Sequence, residues 1–457
     1  MSAALVTSSA RADRVSTPRG IQLGLVVLGV ASLLMCCAVR GAVDDQRRAV
    51  KTVCVDAAPS IIAAQHVVAS LADMEANLVN ELLVYPSEQP SLAKAYEARL
   101  KEATESLLAA AENITYGDAE RVPIRTMLLE IPHFHGLAAL ARLHHERSDH
   151  AATVTAYREA AVAMTGTVMP AARALEAANV KVLEGTYRER TTAASRMRAL
   201  VWLTGLLLIA LAVAVQLFVT RRTRRVLNAG LLAAAALTFA FVGLVLYRLD
   251  ASVEALRGGR EDAFASVHLL WQARALSYEG NTDESRWLLD AERRPQYARD
   301  FTERAERILK MPPGMSVPEL AAASRSGSVP AEADGFIAGE LRNITFGGEL
   351  EAALKVLETR QVYMAADARI RELERGGDHR EAVRFCISYA PGDSNWAFDQ
   401  FDNALSKVIE INEKAFADFT ARGFGALDGL DTLALLVGVL IPLLAFLGLR
   451  PRLREYA

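Results

Sequence analysis

Residues 200–247 read LVWLTGLLLIALAVAVQLFVTRRTRRVLNAGLLAAAALTFAFVGLVLY, which is two apolar runs joined by the basic loop RRTRR. The runs cover residues 200–220 and 226–247, and neither contains Asp, Glu, Lys, Arg or His. An α-helix needs about 20 apolar residues to cross the hydrocarbon core of a bilayer. We therefore predict two membrane-spanning helices joined by a five-residue loop at 221–225.

Two further apolar runs, at 21–39 and 430–449, have the same length and composition apart from Asp431 at the start of the last run. They bring the predicted number of transmembrane helices to four. The first run also follows a basic segment, so a secretory signal peptide cleaved near Ala42 is an alternative for it. The whole chain of 457 residues is 52% hydrophobic but 7% aromatic, which favours helices over sheets.

The distribution of basic residues indicates the orientation of the spans in the membrane. The segments 1–20, 221–225 and 450–457 contain ten arginines against Asp13 and Glu455. Since Lys and Arg are enriched in short cytoplasmic loops, we predict that these segments, including both termini, are cytoplasmic. Fixing the topology and binding anionic lipid are alternative roles to partner contact for these arginines. The candidates for cytoplasmic contact are Arg221, Arg222, Arg224, Arg225, Arg450, Arg452 and Arg454.

The two long segments, 40–199 and 248–429, are then outside the cytoplasm. Both have apolar residues at the spacing of one helix face, as at Leu92 and Tyr96. Breaks in this pattern at 85–90, 115–118 and 147–150 divide residues 40–199 into four helical stretches. We predict an all-α membrane protein in which each outer segment forms an up-down helical bundle, here called bundle 1 and bundle 2.

The two halves repeat weakly. NITYG at 113–117 recurs as NITFG at 343–347, and Asp149-His150 recurs as Asp378-His379. Matches in the same order between equivalent spans predict an internal duplication. The second half adds a loop at 311–335, whose Pro, Gly and Ser content predicts an exposed and mobile segment.

Polar patches at matching places in the two halves are the candidates for ligand or partner contact. A solvated helix face is the alternative interpretation. The residues are Asp73, Glu75, Asn77 and Asn80 in the first half and Glu279, Asn281, Asp283 and Arg286 in the second.

The sequence contains no strong catalytic or metal-binding motif. Five histidines lie between His133 and His150, and a metal site and a polar helix face are the two interpretations. We find no phosphate loop, nucleophile elbow or paired-carboxylate motif, so we expect neither enzymatic activity nor a cofactor or metal. The spans lack the mid-membrane ionisable residues typical of transporters. Gly24, Gly29, Gly230 and Gly438 are interpreted as helix-packing positions.

Several stretches resemble the GlnX-type membrane proteins of actinobacteria, and the resemblance covers most of the chain. These stretches are AAQHVVASLADMEAN (63–77), RRTRRVLNAGLLAAAAL (221–237), SVHLLWQARALSYEGNTDESRWLL (266–289), INEKAF (411–416) and LGLRPRLREY (447–456).

The resemblance implies a role in amino-acid sensing. In that family, a GlnH-like solute-binding lipoprotein detects aspartate or glutamate outside the membrane, and the membrane protein passes this state to the cytoplasmic Ser/Thr protein kinase G. We therefore expect a transmembrane signal relay in the plasma membrane. The alternatives are a direct small-ligand sensor, with chemoreceptor-like bundles, and a structural envelope protein.

Overall fold

The computed structural model describes residues 17–84, 90–112, 114, 117–223 and 227–454, and nearly all of them are helical. The α-helices are α1 (Thr17–Val50), α2 (Ala58–Leu82), α3 (Pro90–Glu112), α4 (Asp118–Glu146), α5 (His150–Ala163), α6 (Met169–Thr223), α7 (Ala229–Gly258), α8 (Ala265–Leu289), α9 (Arg294–Ile308), α10 (Val317–Arg325), α11 (Phe336–Arg342), α12 (Glu349–Arg375), α13 (His379–Ile387), α14 (Ser394–Gly425) and α15 (Leu430–Arg454). Short π-helical turns at Lys51–Ala57, Met164–Val168 and Gly259–Phe264 join α1 to α2, α5 to α6 and α7 to α8.

The chain divides into two compact units. The span unit contains Met1–Val50, Tyr187–Ala255 and Ala421–Ala457. The large helical unit contains Lys51–Thr186, which we call the first segment, and Leu256–Thr420, which we call the second segment.

Among the described residues, four helices are long and apolar enough to cross a membrane, and each overlaps one of the four predicted spans. They run over Pro18–Leu82, His150–Arg222, Ala229–Leu289 and Ser394–Arg454. In the span unit, α1 packs along α15, and large apolar side chains such as Leu203 and Phe239 are exposed. An exposed apolar surface of this kind is expected where lipid is the solvent. The chain is therefore indicated to be a multi-pass membrane protein.

Glycines bring helices of the span unit close together. A Cβ atom on Gly230 of α7 would collide with the carbonyl oxygen of Leu444 and lie 2.7 Å from the Cα atom of Gly448 in α15. Asn228 strengthens the same contact, because its Nδ2 donates to the carbonyl of Gly448 at 2.7 Å. Gly29, in contrast, has open space where a Cβ atom would lie, so the interpretation as a packing position is wrong there.

The large helical unit has a hydrophobic core to which both segments contribute. Leu71 and Tyr157 of the first segment belong to the same buried cluster as Leu270 and Phe401 of the second. Helices α2 and α8 pack side by side and join the two segments. The predicted division into two separate outer bundles is therefore not confirmed.

Helix boundaries lie close to the predicted breaks. Helix α2 ends at Leu82, α3 begins at Pro90, and α4 covers Asp118–Glu146. The repeated Asp-His pairs occupy the same local position, because Asp149 caps α5 and Asp378 caps α13 by accepting a backbone N–H bond. The duplication as such stays a prediction.

The predicted mobile loop at 311–335 is partly helical. It contains α10, which begins with a capping box in which Glu319 accepts bonds from the backbone N–H and the hydroxyl of Ser316, both at 2.7 Å. Leu320 is fully buried, and α10 packs on α12. The Pro, Gly and Ser content alone did not predict this helix. The stretch also contains Ser316 and Glu319 in the Ser-x-x-Glu pattern, with a proline in the first turn, which is a signal for a helix start.

Candidate functional site at the interface of α2 and α8

Helices α2 and α8 carry all eight predicted contact residues. Asp73 and Glu279 are half-buried. The other six residues are buried, and they are Glu75, Asn77, Asn80, Asn281, Asp283 and Arg286. The solvated helix face that we considered as the alternative is therefore wrong for these six residues, because they lie inside the large helical unit.

Arg286 is the centre of the buried polar contacts. Its guanidinium pairs with Glu75 of α2 and, at 3.0 Å, with Asp283 one turn earlier in α8. Its Nε donates to the hydroxyl oxygen of Tyr157 at 2.6 Å, and this hydroxyl in turn donates to Glu75 at 3.3 Å. One arginine thus connects α2, α5 and α8.

The pairing continues towards α9 and α6. Arg304 of α9 contacts Asp283 and, at 3.1 Å, Glu279 of α8. Arg173 of α6 also pairs with Glu279. The result is a row of alternating charges with three acids and three bases. We call the row of Glu75, Arg286, Asp283, Arg304, Glu279 and Arg173 the charge chain.

Burial shifts the pKa of two acids in this region. Burial raises the pKa of Asp283 to about 6, although the neighbouring Arg286 and Arg304 oppose the shift. Burial likewise raises the pKa of Asp73 to about 6 against the effect of its partner Arg99. Both carboxyls are ionised at neutral pH and close to protonation in mild acid. Removing one partner of such a buried pair leaves an uncompensated charge, which costs far more than breaking an exposed pair.

A second link joins the two segments near the end of α8. Arg158 of α5 makes a two-pronged contact with Asp290, at 2.7 Å through Nε and 2.6 Å through Nη2. Asn80 of α2 accepts a hydrogen bond from Ser285 at 2.5 Å. The two segments are thus joined by directional polar contacts as well as by the hydrophobic core.

A cavity of about 340 Å³ lies beside one end of the charge chain. Arg173 and Glu279 are both members of the charge chain and part of the cavity wall. The walls come from both segments, with Gln65, Val68 and residues of α6 on one side and residues of α8 on the other. This volume is within the range of small-molecule sites.

Four polar side chains form a cluster in the cavity wall. The Nε2 atom of Gln65 donates to Glu176 at 3.0 Å and lies 2.6 Å from Nδ1 of His268. Gln272 also donates to Glu176, at 3.2 Å. Burial lowers the pKa of His268 and so favours the neutral imidazole, although Glu176 opposes the shift.

Sequence reasoning missed two of the six charge-chain residues and all four residues of the polar cluster in the cavity wall. Arg173 and Glu176 lie in the Ala-rich part of α6, and Arg304 lies in the strongly polar helix α9. Their spacing resembles that of ordinary exposed helix residues, so the sequence carried no signal for them. Tyr157 and Gln65 are single polar groups on otherwise apolar faces, which is a weak signal that we did not use.

The predicted histidine cluster is distributed along α4 and the start of α5. His135 lies 3.0 Å from the hydroxyl of Tyr96 in α3, and His145 contacts the carbonyl of Val84. These two histidines therefore connect α4 to its neighbours. In the part of the chain that the structure describes, no three His, Cys, Asp or Glu side chains are arranged as a metal-ligand set.

The predicted cytoplasmic arginines lie at helix ends. Arg221 and Arg222 are exposed in the last turn of α6, and Arg222 lies over the ring of Phe218. Arg450, Arg452 and Arg454 belong to the end of α15. Arg224 and Arg225 lie outside the described residues.

Comparison with known proteins gives one match. Residues 49–188 match the family model of the actinobacterial sensor domain. The match supports an actinobacterial sensor protein with a role in signalling or sensing, without distinguishing the GlnX type. Neither a curated protein nor a solved structure matches the chain.

The matched residues cover nearly the same range as the first segment of the large helical unit. They supply Gln65, Glu75 and Glu176, whereas Arg286 and His268 come from the second segment. Both the charge chain and the cavity thus need residues from beyond the matched domain.

Proposed function

We propose that this protein is a transmembrane signal relay without enzymatic activity of its own. In this proposal, the large helical unit lies outside the cytoplasm and responds to a GlnH-like solute-binding lipoprotein loaded with aspartate or glutamate. The cytoplasmic ends of the spans then recruit or release a Ser/Thr protein kinase. The amino acids and the two partners follow from the resemblance to GlnX-type proteins, and the sensing role is supported by the match to the sensor domain.

The continuity of three of the four long helices carries the relay proposal. Each of these three contains an apolar span and remains helical into residues of the large helical unit, whereas a turn at 426–429 separates α14 from α15 in the fourth. Two of them, Pro18–Leu82 and Ala229–Leu289, end with α2 and α8, whose facing sides hold Glu75 and Arg286. A two-state change in the packing of α2 against α8 would therefore act on helices that also form spans.

The cavity favours a second candidate, which is a direct small-ligand sensor. A ligand in the cavity of about 340 Å³ would contact members of the charge chain and so act on the same helices. The two candidates differ in whether the signal reaches the large helical unit through a protein or through a small molecule.

Cross-linking in intact cells tests the relay. The full chain is cross-linked with and without external aspartate or glutamate, and the captured proteins are identified. The relay predicts a solute-binding lipoprotein whose capture depends on the amino acid, together with a Ser/Thr kinase. An Arg286→Met variant with intact topology should lose the dependence on the amino acid, whereas Arg384→Met, at an exposed arginine of α13, should keep it. Recovery of neither partner from cells with correctly inserted protein would contradict the relay.

A further inference from the structure

We propose that the cavity between the two segments is a binding site for a small molecule with a primary ammonium group. Its chemistry rests on a buried carboxylate without a counter-ion, an unpaired amide oxygen beside it and two arginines in the same wall. The inference deepens the sensing function proposed above, because it names a ligand class and a site that are independent of any protein partner.

The first observation is the carboxylate of Glu176. This side chain is buried, with 8% of the residue exposed, and it accepts hydrogen bonds from the amides of Gln65 and Gln272. Its nearest ionisable partner is His268 at 3.5 Å, and the pKa of this histidine is lowered by burial. Within the described part of the chain, no arginine or lysine forms an ion pair with Glu176. A buried carboxylate without a cation is unfavourable, and an ammonium group would compensate it.

The second observation is the amide oxygen of Gln65. Gln65 is 2% exposed, and its Oε1 atom is buried with no hydrogen-bond partner in the described structure. Gln65 also lines the cavity. A buried acceptor without a donor costs roughly as much as a lost hydrogen bond, so such a group usually marks a missing partner. An ammonium group has three N–H donors, enough to serve both Glu176 and Gln65.

The third observation concerns the second functional group of the ligand. Arg307 is exposed in the cavity wall, and among the described residues no acid pairs with it. Arg173 lies in the same wall but is paired with Glu279. Arg307 is available to form an ion pair with a carboxylate on the ligand. The site therefore accepts an amino acid as well as a simple amine. Trp271 and Phe336 give the cavity apolar surface for a short hydrocarbon chain.

The position of the cavity connects binding to the rest of the large helical unit. Glu279 lines the cavity and also pairs with Arg304, which contacts Asp283 in the charge chain. A ligand carboxylate that contacts Arg173 as well as Arg307 would weaken the pair of Arg173 with Glu279 and so change the ion pairs of the charge chain. An amino acid would thus act on the contacts between α2 and α8, whereas a simple amine would bind without this effect.

Calorimetry on the purified full chain in lipid nanodiscs tests the site. The probes are four compounds of similar size, namely butylamine, 4-aminobutyrate, butyrate and butyramide. Glu176→Gln removes the charge with the same shape, and Ala177→Trp fills the cavity from its exposed wall. Glu340→Gln is the matched control, since Glu340 is a buried glutamate of the same unit that does not line the cavity. Thermal unfolding confirms that each variant is folded.

We expect 4-aminobutyrate to bind, with a loss of at least tenfold in affinity in Glu176→Gln and Ala177→Trp and none in Glu340→Gln. Additional binding of butylamine would assign the site to amines in general, and its failure to bind would assign it to amino acids. Preference for butyrate or butyramide, wild-type affinity for 4-aminobutyrate in either cavity variant, or no binding of any probe to folded protein would overturn the proposal. These results would leave the relay through a protein partner untouched, because the cross-linking experiment tests it separately.

Discussion

Arg286 forms ion pairs with two buried acids, Glu75 and Asp283. Arg286→Met removes the charge but keeps much of the volume, and it leaves both acids without their central cation. We expect the free energy of unfolding to fall by about 3–5 kcal/mol, the usual cost of breaking a buried ion pair on one side. Chemical unfolding in micelles, followed by tryptophan fluorescence, measures the change.

The matched control for this prediction is Arg384→Met. Arg384 also pairs with two acids, Glu381 and Asp393, but its side chain is 52% exposed. Exposed pairs contribute at most about 1 kcal/mol, so this variant should be close to wild type. Equal losses in the two variants would show that the buried position of Arg286 has no special importance.

Two buried glutamates predict an unusual dependence of stability on pH. Burial, reinforced by Asp367, raises the pKa of Glu284 to about 8, and burial raises the pKa of Glu340 to about 8. Because these values lie above the unfolded value of 4.5, the folded chain holds more protons than the unfolded chain between the two. The free energy of unfolding should therefore decrease as pH rises from about 4.5 to 8, by up to about 1.4 kcal/mol per pH unit for each group.

Unfolding midpoints measured from pH 5 to 8 test this sign. The Glu284→Gln variant should have a smaller slope than wild type, and the double variant with Glu340→Gln should have the smallest. Glu372→Gln, at an exposed position of α12, is the control and should keep the full slope. A midpoint that rises with pH over this range in wild type would contradict the assignment.

At the scale of helices, the contact of α7 with α15 depends on two glycines. Gly230→Ala places a methyl group against the backbone of Leu444 and Gly448, which cannot move as a side chain can. We expect α7 and α15 to separate locally, at a cost of about 1–3 kcal/mol, the range for overpacked sites. Gly243→Ala in the same helix is the control, because open space lies where its methyl group would be. Thermal unfolding in micelles should occur at a lower temperature in the first variant and at the wild-type temperature in the second.

The sequence was most informative about helix positions and least informative about their partners. Apolar runs and turn residues predicted the four spans and the breaks around α3 to α5, because these signals are local. Hydrophobic periodicity alone does not specify which helix packs against which, so the joining of both segments through α2 and α8 was not predicted. The matching polar patches identified Glu75 and Arg286 as unusual, but only the structure pairs them. Arg173, Glu176 and Arg304 had no distinguishing pattern at all.

For the whole molecule, the relay requires that the cytoplasmic ends of the spans have a function beyond topology. We predict that replacing Arg221, Arg222, Arg224 and Arg225 with Gln weakens capture of the Ser/Thr kinase at least fivefold. Arg221 and Arg222 are exposed at the end of α6, where a partner can reach them. Quantitative co-purification from membranes measures the change. The physical reason is that loss of four positive charges removes the attraction for an acidic surface on the partner.

The control for this prediction must separate recruitment from topology, since the same arginines favour cytoplasmic placement of the loop. Labelling of single cysteines placed in the first and second segments reports on topology in each variant. Replacing Arg450, Arg452 and Arg454 instead tests whether the end of α15 contributes to the same surface. If kinase capture were unchanged in the loop variant while labelling showed normal insertion, the loop would have no part in the relay, and the end of α15 would be the remaining cytoplasmic candidate.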